Sequence, residues 1–125
     1  MQLHQTVRGV IVAPDGTSVL LHLPRGADTG LRALQQQVGG PVAELPIQYV
    51  GDSGVWGTVW FDEEAALHAA PQVSMFPSVI APLFVLPVNV LFGPVVVLGP
   101  PTPDGDIEPI DDLVEQVIRR HTAAW

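Results

Sequence analysis

The first apolar part of the chain is divided by a turn. Residues 6–13 (TVRGVIVA) and 17–23 (TSVLLHL) are rich in β-branched and aliphatic side chains, and Pro14-Asp15-Gly16 lies between them. Asp and Gly tolerate the positive φ angles that tight hairpin turns require. The pattern therefore predicts a β-hairpin made of these two strands.

A second pair of apolar runs follows at residues 42–50 and 55–61, separated by a Gly-Asp-Ser-Gly turn that predicts another hairpin. Pro46 lies inside the first run and has no amide hydrogen to donate, so we expect an edge position or a bulge there. Trp56 and Trp60 are four residues apart in the second run. The alternation of side chains along a strand predicts that both face the same side, either in the core or as a stacking platform.

One helix is predicted between the hairpins, over residues 29–38. Leu31, Leu34 and Val38 recur there at i, i+3 and i+7, which places them on one helix face. Gly39 and Gly40 follow directly and predict a left-handed cap that ends the helix.

Two further helices are predicted in the second half of the chain. Acidic residues suit the first turn of a helix, so Asp62, Glu63 and Glu64 predict a short helix over residues 62–70. A C-terminal helix is predicted over residues 108–122, with acids near its start and arginines near its end. Its apolar face is formed by Ile110, Leu113, Val114, Val117 and Ile118.

A segment without charged side chains fills the space between these helices. Residues 65–103 are 39 consecutive positions that contain no Asp, Glu, Lys or Arg. Residues 79–99 are apolar enough for a membrane span, but three prolines would disrupt a helix there, so we expect no membrane partner. Residues 94–98 predict a buried central strand. Because a small domain has difficulty hiding the whole segment, we expect a homo-oligomer or a protein partner to cover part of residues 75–92.

These elements together predict an α+β fold. We expect one domain over residues 1–125, with a mostly antiparallel sheet made of two hairpins and a buried C-terminal strand, packed by two main helices. Residues 1–5 are expected to be a flexible N-terminus. Residues 100–107, rich in Pro and Gly, are expected to connect the last strand to the C-terminal helix.

Composition narrows the function classes. The chain has 13 acidic residues against five arginines and no lysine, a net charge of −8 that argues against direct nucleic-acid binding. It contains no cysteine, which excludes disulfides, a thiolate nucleophile and thiolate metal sites. The first residues lack a basic region before an apolar stretch, so a cytoplasmic location is expected.

Three strings carry a resemblance to a known family. They are an LQxxVGG helix end at residues 34–40, an Asp-Glu-Glu turn at residues 62–64, and a GxVVVxG strand at residues 93–99. Together they resemble a family of small proteins from bacteriophages and actinobacteria that carry a domain of unknown function. The resemblance spans residues 28–120 and implies an origin in a phage or mobile element and a similar fold. It implies no activity.

No set of residues in the sequence predicts catalysis. Glu64 and His68 have the i, i+4 spacing of two metal ligands on a helix, but two ligands do not make a site. Adjacent acids at residues 62–64 point in different directions on a helix, and Ser53 lies in a hairpin turn rather than a nucleophile elbow. We therefore expect no metal, no cofactor and no catalytic residue.

The sequence favours a non-enzymatic binding protein that acts through protein contacts, as an accessory protein or an inhibitor of a host or defence component. An alternative is a sponge for a small molecule or nucleotide signal at an oligomer interface, with backbone amides of Gly39, Gly40 and Gly93 as the anion site. An enzyme of unknown chemistry is a further alternative. The candidate contact residues are Trp56, Trp60, Met75, Phe76, Phe84, Asn89 and Phe92.

Overall fold

A six-stranded antiparallel sheet organises the protein. The structure, a computed structural model, describes residues 6–52 and 54–121, so the predicted flexible N-terminus lies outside the described residues. The elements are β1 (Thr6–Val12), β2 (Ser18–Pro24), α1 (Ala27–Val38), β3 (Val42–Tyr49), β4 (Val55–Asp62), α2 (Phe76–Ile80), β5 (Phe84–Val85), β6 (Val95–Leu98) and α3 (Asp112–His121). The strand order is β2-β1-β6-β4-β3-β5, with every neighbouring pair antiparallel. The predicted α+β class is confirmed.

The first hairpin, β1 with β2, is confirmed in regular register from Thr6 opposite Pro24 to Val12 opposite Ser18. Its turn has the chemistry that the sequence indicates. Gly16 has a φ of 94°, and Oδ1 of Asp15 accepts hydrogen bonds from the backbone amide and the hydroxyl of the residue two positions on.

The second hairpin, β3 with β4, is confirmed and contains a β-bulge. Ile47 lies opposite Gly57, whereas the next residue, Gln48, lies opposite Val55, so β4 carries one extra residue. Pro46 lies one residue before Ile47, after which the register shifts. On its other side β3 is paired only through its last two residues, to the two-residue β5. Both features expected for Pro46, an edge and a bulge, are therefore found.

The extra residue in β4 is Trp56, and it sends the two tryptophans to opposite faces of the sheet. Trp56 packs beside Tyr49 and Phe84, with ring centroids 5.7 and 5.9 Å away, on the face covered by α2 and α3. Trp60 packs against the cluster beneath α1. The prediction that they share one side is wrong, because a bulge interrupts the alternation of side chains.

The most buried strand is β6, which joins the two hairpins by pairing with β1 on one side and β4 on the other. All four of its residues have no exposed surface, which confirms the predicted central strand. Val95 and Val97 contribute to the core under α2 and α3, whereas Val96 and Leu98 contribute to the core under α1. A strand buried on both faces explains the uninterrupted apolar run.

The first predicted helix is confirmed as α1, which covers the second of these cores. Leu34 and Val38 are buried against the sheet, whereas Leu31 is 40% exposed at the edge of the contact. Gly39 has a φ of 94° in the left-handed region and donates its amide hydrogen to the carbonyl of Gln35, as the predicted cap requires.

The predicted helix over residues 62–70 is wrong. Asp62 is the last residue of β4 and lies opposite Val42, and the amide of Glu63 donates to the carbonyl of Pro41. Only residues 65–67 form a single 3₁₀ turn. Pairing with β3 thus outweighs the local preference of acidic residues for a helix start.

The C-terminal helix is confirmed, but it begins at Asp112 rather than at residue 108. The amide of Ile110 donates to the carbonyl of Arg8, so the chain ahead of the helix is held against β1. Asp111 is the cap, since its Oδ1 accepts the amide of Leu113 at 2.8 Å. Val114, Val117 and Ile118 are buried as the apolar spacing predicts; the predicted end at residue 122 lies outside the described residues.

Candidate functional site

The uncharged segment folds back on itself before it enters β6. Val73 and Phe92 form an isolated antiparallel bridge, and one backbone hydrogen bond of 2.8 Å flanks it on each side. This pattern of flanking bonds marks a pair whose two side chains lie close together on one face. Two distant parts of the uncharged segment are therefore joined at the molecular surface.

Four apolar side chains on the two segments that this bridge joins reach the surface. Val73, Met75 and Val90 are 57%, 48% and 52% exposed, and Phe92 is half-buried. We call these four residues the uncharged surface. Six of the ten large hydrophobic side chains that are exposed in the described part of the chain belong to the uncharged segment. The segment is therefore only partly hidden by its own fold.

The predicted contact residues divide into exposed and buried groups. Met75 and Asn89 are exposed and Phe92 is half-buried, so a partner can reach them. Phe76 and Phe84 are 0% and 2% exposed and form the core between α2 and the sheet, so their prediction as contact residues is wrong. Their aromatic character reflects core packing. The two half-buried tryptophans, on opposite faces, do not form one stacking platform.

The glycines proposed as an anion site have other roles. The amide of Gly39 donates to Gln35, and that of Gly93 donates to the carbonyl of Gln72. A Cβ atom at Gly40 would lie 2.7 Å from Oδ1 of Asp62, so a carboxylate already lies against this residue. The predicted anion site is therefore contradicted: two amides are engaged and the third position adjoins a negative charge.

Asp62 lies beside a cavity of about 210 Å³ between β4, the 3₁₀ turn and the chain entering β6. Its side chain is 2% exposed, and Oδ1 accepts the amide of Glu64 at 2.9 Å. Oδ2 is buried and has no hydrogen-bond partner among the described residues. The Nε2 atom of His68 is 3.3 Å from Oδ2, within ion-pair distance, but the direction of approach does not form a hydrogen bond.

The remaining walls of this cavity are mostly small and apolar. They include Val38, Ala65, Pro71 and Gly93. Polar groups in cavities of this kind fix the orientation of whatever binds, because the apolar walls exclude water from around them. Because Oδ2 is buried beside His68, a hydrogen-bond donor or a positive charge can reach it when the exposed imidazole moves aside. We call it the Asp62 cavity.

The alternation of side chains along β4 indicates this site, but the prediction of a helix from residue 62 led away from it. Thr58, Trp60 and Asp62 alternate along β4 and so share the face on which α1 packs. Extending the strand by one residue would have placed the carboxylate inside, next to Gly40. That glycine does not adopt an unusual φ; it provides the space that the carboxylate occupies.

The metal pair considered from the sequence does not form. Residues 64 and 68 are not on an α-helix, and His68 approaches Asp62 instead of Glu64. Within residues 6–52 and 54–121, no group of three or more His, Asp or Glu side chains is placed to hold a metal ion.

A second cavity, of about 340 Å³, lies between the first hairpin turn, α2 and the end of α3. Asp15, Ser78 and His121 line it, but they are not connected as a catalytic triad. Asp15 accepts hydrogen bonds from Thr17, which lower its pKa, and Nδ1 of His121 lies 3.0 Å from the carbonyl of Val117. Nucleophilic catalysis needs the base within hydrogen-bond reach of the nucleophile and oriented by the acid.

A partly buried ion pair accounts for the two other groups with shifted pKa values. Nε of Arg8 donates to Oε1 of Glu115 at 2.9 Å, and a second guanidinium nitrogen donates to Oε2. These hydrogen bonds lower the pKa of Glu115 and raise that of Arg8, against the opposing effect of burial. The pair fastens α3 to β1, so its function is structural.

No family model, curated protein or solved structure matches this chain. The resemblance to the phage and actinobacterial family therefore stays a prediction. Among the helices of the described residues, none is long and apolar enough to cross a lipid bilayer. The site must consequently be interpreted from its own geometry.

Proposed function

We propose that this protein is a non-enzymatic binding protein that docks its uncharged surface on another protein. The observation that carries the proposal is the exposure of Val73, Met75 and Val90, each about half, within a segment of 39 residues without a charge. Contiguous exposed apolar side chains bordered by polar residues are typical of protein interaction sites. The rest of the chain has ample charge to keep the protein in solution.

Charge indicates what kind of protein fits. With a net charge of −8, two copies of this chain repel each other, whereas a partner with basic residues around an apolar patch is attracted. We therefore propose a different protein with a basic surface as the occupant. Covering that surface is also how a small acidic accessory protein would inhibit a host component, the role that the sequence leads us to expect.

The alternatives have less support. A nucleotide sponge needs free amides or cations for the phosphates, but the amides of Gly39 and Gly93 are engaged and the Asp62 cavity presents a carboxylate. An enzyme needs connected reactive groups, and the hydrogen bonds of Asp15 and His121 lead elsewhere.

The proposal is tested by comparing Val73 with Val19, which is equally exposed, at 57%, on the outer strand β2. A photo-reactive residue is placed at either position and irradiated in cells, and we expect a specific protein adduct only at position 73. That protein is then purified and titrated with wild-type protein, V73D and V19D. We expect V73D to weaken binding by about tenfold or more, roughly 1.4 kcal/mol, and V19D to change it little.

Three results would contradict the proposal. One is the absence of an adduct at position 73, and another is the same adduct at both positions. The third is a dimer in sedimentation equilibrium that V73D dissociates, because a second copy of the chain would then occupy the surface.

A further inference from the structure

We propose that the Asp62 cavity receives the positively charged end of a lysine or arginine side chain from the docked protein. This inference rests on the proposed function, because it specifies the chemistry of the partner. It is carried by a different observation, namely the buried carboxylate oxygen of Asp62 that has no hydrogen-bond partner in the part of the chain that the structure describes.

Asp62 is buried with one oxygen only partly compensated. Its side chain is 2% exposed, and Oδ1 accepts the amide of Glu64. Oδ2 has no hydrogen-bond partner among the described residues and has the exposed ring of His68 at ion-pair distance. A buried carboxylate is stable only when a donor or a positive charge compensates it. An ammonium or guanidinium group supplies both, whereas a phosphate or carboxylate ligand would be repelled.

The size and the walls of the cavity restrict what can bind in it. A volume of about 210 Å³ is below the roughly 300–1,000 Å³ of sites for drug-sized ligands. The cavity is therefore suited to one side chain, not to a nucleotide. Its small apolar walls match the methylene stem that precedes the charge in a basic side chain.

The cavity adjoins the bridge on which the uncharged surface is built. Gln72 and Gly93 line the cavity, and they are joined by the hydrogen bond that flanks the bridge between Val73 and Phe92. A protein docked on the uncharged surface therefore has its neighbouring residues over the cavity. A partner that carries a basic residue next to apolar residues would fill the cavity and cover the uncharged surface at the same time.

His68 occupies the position of an internal substitute for this ligand. Its Nε2 lies 3.3 Å from Oδ2, yet the side chain is 58% exposed and has space to move away. A partner's basic group would displace it. Removing the imidazole should therefore preserve or strengthen binding, whereas a metal site or a catalytic pair would need both residues.

The direct test uses butylammonium as the probe and 1-butanol as its neutral counterpart, with amide chemical shifts of Gly40, Glu64 and Gly93 as the readout. We expect saturable shifts with butylammonium and none with butanol. D62N should weaken binding by about tenfold or more, E64Q by less than about twofold, and H68Q should leave it unchanged or tighter. Glu64 is the matched control because it is exposed and loses the same charge.

D62N should fold, since an asparagine keeps the oxygen that accepts the amide of Glu64. A70F provides an independent variant that retains Asp62. Ala70 is exposed and lines the cavity, so a large side chain there should obstruct butylammonium without affecting the core.

Several outcomes would overturn the inference. They are equal shifts with butylammonium and butanol, no saturable binding, unchanged binding in D62N and A70F, or zinc binding that both D62N and H68Q abolish. Its failure is distinguishable from that of the proposed function. If V73D weakens binding to the partner protein and D62N does not, docking stands and the basic side chain in the cavity is wrong. If butylammonium binds but position 73 gives no adduct, the cavity binds a cation but docking through the uncharged surface is wrong.

Discussion

The chain enters and leaves its most buried strand, β6, through two connections of opposite character. The one that follows, residues 99–111, is fastened to the rest of the protein by polar groups. Asp106 accepts the amides of Gly26 and Ile107, and Glu108 pairs with Arg25 at 2.5 Å. Asp106, Glu108 and Asp111 thus have partners within the same molecule, whereas Asp104 is exposed.

The connection that precedes β6, residues 63–94, contains no charged side chain after Glu64 and leaves several large apolar side chains in water. Asp62, the last residue of β4 directly before this connection, keeps one oxygen without a hydrogen-bond partner among the described residues. The two connections therefore have different roles. Groups that are satisfied internally stabilise the fold, whereas apolar and polar groups that the fold leaves unsatisfied are the ones available to another molecule.

The largest effect on stability is expected where the connection before β6 contributes to the core. Phe76 is fully buried between α2 and the sheet, and the residue before it, Met75, is 48% exposed. F76A should lower the free energy of unfolding by about 3–5 kcal/mol because it leaves a cavity. M75A should change it by less than about 0.5 kcal/mol. Urea denaturation followed by tryptophan fluorescence measures both.

These neighbours test whether the connection has two separate roles. If M75A destabilised the fold as strongly as F76A, the uncharged surface would be needed for stability and its availability to a partner would be in doubt. If instead M75A weakened binding to the partner protein alone, while F76A affected both stability and binding, the assignment of Met75 to a binding surface would be strengthened.

A smaller effect is expected for the ion pair that fastens α3. E115Q should lower the free energy of unfolding by about 1–3 kcal/mol at neutral pH, because Glu115 is nearly buried whereas Arg8 is partly exposed. The pKa of Glu115 is lower in the folded protein than in the unfolded chain. The ion pair therefore contributes fully to the free energy of unfolding at a pH above the ordinary pKa of a glutamate. This contribution is lost as the pH falls through the pKa that Glu115 has in the folded protein.

Denaturation of wild type and E115Q between pH 7 and pH 3 measures this dependence. We expect the difference between them to shrink toward the acidic end, whereas E63Q, an exposed glutamate, should match wild type throughout. A constant difference across the range would mean that Glu115 acts through packing instead of charge.

Local signals explain why most of the fold was predictable. The Asp-Gly turn, the apolar run of β6 and the spacing of Val114, Val117 and Ile118 each depend on neighbours in sequence, so they are visible without tertiary contacts. Gly39 likewise ends α1 through a conformation that glycine adopts readily.

The candidate site was less predictable because tertiary contacts decide it. Pairing with Val42 extends β4 through Asp62 and removes the expected helix. Trp56 is the extra residue of the β-bulge, so its side chain lies on the face of the sheet opposite to that of Trp60. The contact between Gly40 and Asp62 joins residues 22 positions apart, and no local pattern reports such a contact. Sequence therefore indicated which segment would be exposed, but not the cavity beside it.

The smallest effect is expected at the ion pair of the connection that follows β6. Arg25 and Glu108 are each about one-third exposed, so solvent screens their attraction. E108Q should lower the free energy of unfolding by about 0.2–1 kcal/mol in dilute buffer, and by less in high salt, because ions screen exposed pairs. D104N, at an exposed acid of the same connection, is the control. Equal effects of E108Q and D104N at both salt concentrations would show that charge does not fasten this connection, and the contrast with the preceding one would then depend on its backbone hydrogen bonds alone.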